Sequence, residues 1–97
     1  MHARLRRKGS LLLRFGRQFN VQEVERLSET VQSFAPLSQL TLDFTEVREC
    51  QGLACDLLAK TLAANPTLKV VFRGLDLHLS RMLGCFGVGE PGLAVST

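Results

Sequence analysis

Two hydrophobic periodicities alternate along this chain of 97 residues, and the alternation restricts the fold more than any single motif does. Leu40, Leu42 and Phe44 recur at every second residue, which is the period of a β-strand. The range 21–35 places apolar residues at three- and four-residue intervals, which is the period of an amphipathic helix. Strands that alternate with helices favour parallel pairing through right-handed crossovers. The pattern therefore predicts an α/β fold.

The predicted elements follow one another as strand, strand, helix, strand, helix, strand, helix and a short last strand. The first two strands form a hairpin around Gly9, because glycine suits a tight turn, and this hairpin makes the sheet mixed. Asn20 is predicted to cap the first helix, with Glu23 completing a capping box. The helices are predicted near 21–35, 51–64 and 76–86.

A chain of this length has room for one small core, so we expect one domain over residues 1–97. It should contain a mixed, mostly parallel sheet of four or five strands with three to four helices. The residues expected in the core lie on the helices (Val24, Leu27, Val31, Leu57, Leu58, Leu83) and on the strands (Leu42, Phe44, Val70, Phe72).

Several classes of protein are disfavoured by the sequence. No apolar run approaches the roughly 20 residues that span a bilayer, which argues against membrane insertion. The basic N-terminus lacks the apolar segment and the cleavage site of a signal peptide, so a cytoplasmic location is expected. Since no Ser/His/Asp set, paired catalytic acids, phosphate-binding loop or metal-ligand spacing is visible, we expect no enzyme, no cofactor and no metal.

The three cysteines also argue against a zinc site or a disulfide framework, because their number is odd and no CxxC motif occurs. Cys50 and Cys55 are five residues apart, so a helix that included both would turn them to different faces. Cys55 and Cys85 are expected to be small buried apolar residues.

Positive charge is concentrated at the N-terminus. This concentration could serve nucleic acid or an acidic partner, or it could be a solvated hairpin whose charges protect a sheet edge. We prefer the second interpretation and expect no nucleic acid, because no aromatic stacking residues lie between the arginines. The first seventeen residues hold half of the positive charge, on Arg4, Arg6, Arg7, Lys8, Arg14 and Arg17.

The sequence "LTLDFTEV" is followed by "RECQGLACDLL", and further on by "KVVFRGLDLHLSRMLGCFGV". This ordered set, over nearly the whole chain, resembles the STAS domain family. That family includes the anti-sigma-factor antagonists and the cytoplasmic domains of sulfate transporters. The resemblance implies a STAS-like fold and a regulatory role, in bacteria, through contact with another protein.

The resemblance also assigns residues in the segment 49–52. Gly52 matches the family glycine, Gln51 takes the place of a serine, and Glu49 takes the place of an aspartate. Cys50 takes the place of the serine that is phosphorylated in the antagonists. Because a cysteine cannot become phosphoserine, the resemblance implies that the phosphorylation switch is absent. Thr45 matches no phosphorylated position, and either Thr45 or Ser80 could be a substitute acceptor.

The docking surface implied by this match is the segment 49–52 and the polar side of the following helix. The helical period predicts that Leu53 and Leu62 are buried and that Asp56 and Lys60 face solvent. The implied partner is an anti-sigma factor of the histidine-kinase-like ATPase type or a transporter ATPase.

Two other functions remain open from the residues themselves. The basic hairpin could bind nucleic acid, and Cys50 could be a thiol redox sensor because a helix N-terminus lowers the pKa of a thiol. Few residues follow Gly89, so the last sheet edge could be open and covered by a second copy or by a partner strand.

Overall fold

The computed structural model describes residues 1–7, 9–85 and 94–96, the last of these by their backbone alone. Its strands are β1 (His2–Arg7), β2 (Ser10–Arg14), β3 (Gln18–Phe19), β4 (Gln39–Asp43), β5 (Glu49–Cys50), β6 (Lys69–Arg73) and β7 (Ala94–Ser96). Its helices are α1 (Val21–Ser33), α2 (Gly52–Ala63) and α3 (Leu77–Cys85).

The main sheet has five strands in the order β1-β2-β4-β6-β7. Strand β1 is antiparallel to β2, whereas β2, β4, β6 and β7 are parallel to their neighbours. This architecture confirms the predicted α/β fold with a mixed, mostly parallel sheet. The predicted last short strand is β7, at the edge of the sheet.

The helices begin and end close to the predicted positions. The Asn20 side chain accepts a hydrogen bond from the backbone N–H of Glu23 at 3.1 Å and caps α1, as predicted. Asp76 accepts one from the N–H of Leu79 at 2.8 Å and caps α3. The predicted end of the third helix, Phe86, lies outside the described residues.

The three helices lie on one face of the sheet, where α1 packs against α2 and α2 against α3. The inward strand residues form two rows across β2, β4 and β6, and burial of such a row removes its apolar surface from water. The rows are Leu11–Leu40–Val70 and Leu13–Leu42–Phe72, and all six residues are buried. The predicted core residues are buried as expected, except that Leu57 is half-buried.

Two features were not predicted. Strands β3 and β5 form a separate two-stranded parallel sheet, in which Gln18 pairs with Glu49 and Phe19 with Cys50. Strand β1 also begins at His2, so that even the second residue of the chain belongs to the main sheet. Within the described residues, no helix is both long enough and apolar enough to span a membrane.

The turn after β6 requires glycine. Gly74 has φ +71°, a left-handed conformation that L side chains rarely adopt. A Cβ atom at this position would lie 2.5 Å from the backbone nitrogen of Thr45 and would also overlap the Thr45 hydroxyl. Gly74 therefore lets the β6–α3 turn pack directly on the turn after β4.

Candidate functional site

The first half of the segment 49–52, called the joint below, is strand β5, which the sequence analysis did not predict. The N–H groups of Arg48 and Glu49 both donate to the carbonyl of Arg17, at 2.8 and 2.9 Å. The N–H of Gln51 donates to the carbonyl of Phe19 at 3.1 Å. These bonds attach the joint to the connection between β2 and α1.

Three buried phenylalanines lie in the core at the carboxyl ends of β2, β3 and β4. Phe15 contacts Phe19 with ring centroids 4.8 Å apart, and both rings lie 5.0 Å from Phe44. Edge-to-face and tilted contacts of this kind contribute about 0.5–1.5 kcal/mol beyond burial. Because Phe19 pairs with Cys50 across β3 and β5, this cluster fixes the joint at the end of the sheet.

Helix α2 begins directly after the joint. Gln51 is the N-cap residue, but its side chain makes no capping hydrogen bond, and Gln51 and Gly52 are exposed. Gly52 does not have a positive φ, so it enters the helix with ordinary backbone geometry.

The prediction that Leu53 is buried is wrong, because its side chain is 75% exposed. The buried face of α2 is centred instead on Ala54, Cys55 and Leu58, with Leu62 half-buried. With 100° per residue, this places Leu53 on the opposite side of the helix. The sequence pattern failed here because it counted leucines and left out the small apolar residues Ala54 and Cys55.

Asp56 and Lys60 point away from the core as predicted and form a salt bridge at 3.1 Å. Their side chains are 44% and 72% exposed. An exposed pair at this spacing contributes only about 0.3–0.5 kcal/mol, so it leaves both groups free to exchange partners. Leu53, Asp56 and Lys60 together form one exposed line along α2, called the α2 strip below.

Cys50 and Cys55 do not face different directions, contrary to the expectation. Their sulfur atoms are 3.1 Å apart, within contact and hydrogen-bonding distance. The reason is that the helix begins at Gly52, so Cys50 precedes the N-cap and Cys55 is the fourth helical residue. These are the positions of a hydrophobic staple, a signal that could have identified the pair from the sequence.

The remaining predicted positions are dispersed. Cys85 was expected to be buried, but it is exposed at the end of α3, where the helix turns this position away from Leu83 in the core. Thr45 and Ser80 are both exposed, in the turn after β4 and in α3. Neither lies within the joint or the α2 strip.

Asp43, at the end of β4, is a buried carboxylate that the sequence interpretation did not single out; its exposure is 2%. It pairs with Arg14 at 3.3 Å and accepts hydrogen bonds from the N–H and hydroxyl of Thr45. Burial alone would raise the pKa of Asp43, but the two Thr45 hydrogen bonds and the Arg14 charge together lower it.

Beside the joint lies a shallow groove of about 420 Å³. Its walls come from the β2–α1 connection, the start of α1 and the joint, and they carry charges of both signs. The lining residues are Gly16, Arg17, Gln18, Asn20, Glu23, Arg48 and Glu49. Mixed charge of this kind suits a protein surface better than a polyanion.

The face of the sheet opposite the three helices is basic. A cavity of about 440 Å³ is lined there by Arg4, Leu5, Arg6, Leu12, Arg14 and Arg73. Within the residues whose side chains are described, the phenylalanines are buried except Phe34 at the end of α1. The arginines of the hairpin are thus assembled on one surface, but without stacking rings beside them.

Among the residues described, no group of three or more histidine, cysteine or acidic side chains could hold a metal ion. The reactive groups of the joint are the Glu49 carboxylate and the Cys50 thiol, which contacts the Cys55 thiol of α2.

Comparison with the solved structures shows which fold this arrangement belongs to. The chain is similar to the anti-sigma factor antagonist SpoIIAA in its unphosphorylated form, with a TM-score of 0.71 and 11% sequence identity. The match covers 99% of this chain and 87% of that one. The chain therefore has the STAS fold. No model of a known protein family matches the sequence. No curated protein matches it either.

Proposed function

We propose that this chain is a bacterial, cytoplasmic regulatory module that binds a partner protein through the joint and the α2 strip. Residues 1–97 act as one STAS-like unit, and the activity is association, not catalysis. The fold supports a protein partner in general, since the similar structure is that of an anti-sigma factor antagonist.

The observation that carries the proposal is the exposure of Leu53. A leucine that is 75% exposed in the first turn of a helix keeps most of its apolar surface in contact with water. Burial of such a side chain by a partner is worth about 1.5–3 kcal/mol. Exposed Gln51 and Gly52 adjoin it, so a partner could approach the backbone closely.

The charges around Leu53 have the composition of an interface rim. Glu49, Asp56 and Lys60 surround an apolar centre with charges of both signs, which supports orientation and selectivity more than raw affinity. We propose an anti-sigma factor of the kinase-like ATPase type as the partner, with a transporter ATPase as the second choice. Cys50 in place of serine would leave the interaction without the usual phosphorylation switch.

Site-specific photo-crosslinking in the native cells tests the proposal. A photoreactive phenylalanine analogue is placed at position 53, and separately at position 34 as a matched control. Phe34 is also an exposed apolar residue, at 41%, but it lies at the far end of α1. We expect a defined protein adduct from position 53 and none from position 34.

Charge substitutions in the crosslinking protein test whether the adduct depends on the α2 strip. The adduct from position 53 should be lost when Lys60→Glu is combined with the label and retained with Arg6→Glu, which changes only the basic hairpin. Equal adducts from positions 53 and 34, or loss through Arg6→Glu alone, would show that the joint and the α2 strip are not the interface.

A second candidate function, nucleic-acid binding, is favoured by one observation. Arg4, Arg6, Arg14 and Arg73 line a single cavity, although they come from three different strands. If this face binds single-stranded DNA, the affinity must fall steeply with salt and must drop with Arg4→Glu. Fluorescence anisotropy with labelled oligonucleotides at low and physiological salt separates this function from the first.

A further inference from the structure

The thiols of Cys50 and Cys55 form a pair that is held from both sides by the fold. Cys50 lies in β5, whose backbone pairs with β3 at Phe19. Cys55 lies in α2, where its N–H donates to the carbonyl of Gln51 at 3.2 Å. The separation of 3.1 Å between the two sulfur atoms thus follows from ordered backbone on each side of the N-cap.

The two thiols differ in access to solvent. Cys55 has an exposure of 0% and belongs to the core, whereas Cys50 is half-buried at its edge. A small solute can therefore reach Cys50 first, while Cys55 stands behind it in contact. In a redox sensor, an accessible cysteine reacts first and a second cysteine within reach then resolves it to a disulfide. Cys50 and Cys55 have this arrangement.

The contact also shifts the pKa values of the two thiols in opposite directions. The hydrogen bond between them lowers the pKa of Cys55 and raises that of Cys50, because one proton is held between two sulfur atoms. Cys50 therefore keeps its proton until its sulfur reacts, and the departing hydroxide takes that proton.

We propose that Cys50 and Cys55 are a redox modification site whose oxidised form is an intramolecular disulfide. The bond length of a disulfide is about 2.05 Å, so the sulfur atoms need to approach each other by only about 1 Å. Side-chain rotation at the edge of the core can supply this, and no backbone element has to leave the sheet.

The oxidant we name is hydrogen peroxide. In the first step the Cys50 sulfur attacks one peroxide oxygen, the O–O bond breaks, and the departing hydroxide takes the Cys50 proton and leaves as water. Cys50 becomes a sulfenic acid. In the second step the Cys55 sulfur attacks the Cys50 sulfur, the S–O bond breaks, and the departing hydroxide takes the Cys55 proton and leaves as water. Two thiols are oxidised to one disulfide, and one peroxide is reduced to two waters.

This site lies where the resemblance places the phosphorylated serine of the antagonists. Oxidation would tie the joint to the first turn of α2 and would withdraw the Cys50 thiol from the surface next to Leu53. A redox state could then control partner binding where a phosphate cannot. That consequence rests on the proposed function, whereas formation of the disulfide does not.

Trypsin makes the test direct, because it cleaves after Arg48 and Lys60 and releases both cysteines in the single peptide 49–60. Cys85 falls in a separate peptide, 82–97. The reduced full-length protein is treated with hydrogen peroxide, free thiols are alkylated, and the digest is analysed by mass spectrometry without reduction. No partner is present, so a failure here is distinct from a failure of the docking proposal.

We expect peptide 49–60 to lose two hydrogens and to carry no alkyl group after oxidation, and to carry two after dithiothreitol. Cys85→Ser should behave as wild type does. Cys50→Ser and Cys55→Ser should not form the disulfide. Because position 55 is buried, Cys55→Ala is tested as well, and the circular dichroism spectrum of each variant shows whether it has folded. The proposal is overturned if wild-type peptide 49–60 keeps two alkylated cysteines at peroxide concentrations that oxidise Cys85, or if Cys50 pairs only with Cys85.

Discussion

Thr45 donates both its backbone N–H and its hydroxyl to one carboxylate oxygen of Asp43, at the point where β4 ends. The same carboxylate pairs with Arg14 on β2. Asp43 therefore connects two parallel strands and the turn that leads to the joint, and its negative charge contributes to the stability of the fold.

We expect this carboxylate to make stability depend on acid pH. The pKa of Asp43 is lowered in the folded state, so its ionised form adds stability above the unfolded pKa of about 3.9. That stability is lost as the pH falls through the folded value. Asp43→Asn should cost about 1–3 kcal/mol at neutral pH and should flatten the loss of stability below pH 4.

Urea unfolding followed by circular dichroism at several pH values measures this effect. Asp56→Asn is the matched control, because Asp56 is an exposed carboxylate in a surface pair. An acid profile that is the same in Asp43→Asn and wild type would show that other groups cause the pH dependence.

Gly74 is expected to tolerate no side chain. Gly74→Ala combines a positive φ with a Cβ atom 2.5 Å from the Thr45 backbone nitrogen, so it should destabilise the protein by more than about 1 kcal/mol. Gly84→Ala is the control, since a Cβ there meets nothing within 4 Å and helix propensity favours alanine by about 1 kcal/mol. Thermal melting of both variants should shift in opposite directions, and equal shifts would contradict the packing described for the β6–α3 turn.

Charge added to the proposed interface should block the partner without unfolding the domain. Leu53→Asp and Lys60→Glu each change an exposed side chain on the α2 strip, where substitutions usually cost within about 0.5 kcal/mol. We expect each substitution to weaken binding at least tenfold in titration calorimetry with the partner that the crosslinking experiment identifies. Arg6→Glu should bind normally, and an interface on the N-terminal strands would give the reverse result.

Phosphorylation is expected to be absent at residue 50 and restored by Cys50→Ser if the partner is a serine kinase. Thr45 is a poor substitute, because a phosphate on its hydroxyl would stand beside the Asp43 carboxylate and repel it. Mass spectrometry of the protein isolated from its own cells checks both statements. Phosphate found on Thr45 or Ser80 under signalling conditions would mean that a switch exists elsewhere.

The sequence was informative wherever periodicity and capping act locally. The order of the main elements, the cap at Asn20 and the inward residues of β4 and β6 all follow from the sequence pattern. It was less informative at the joint, because a two-residue strand such as β5 has no period to detect. Its pairing with β3 depends on a partner thirty-one residues away, from Gln18 to Glu49.

The orientation of α2 was the other failure, and it changed the interpretation of the site. The helical spacing of the leucines predicted that Leu53 was buried, whereas the helix start and the contact of Cys50 with Cys55 turn it to solvent. The exposure of Leu53 and the contact between Cys50 and Cys55 therefore both result from how α2 is rotated about its own axis.

The small sheet of β3 and β5 has a consequence for the thermodynamics of association. Because the joint is already hydrogen-bonded to the connection before α1, little backbone freedom remains to be lost when a partner binds. Ordering a flexible loop typically consumes part of the interaction energy, and a surface fixed in advance avoids that cost. The joint should therefore be rigid before a partner binds, and the backbone of residues 48–53 should superimpose closely between the free and bound states.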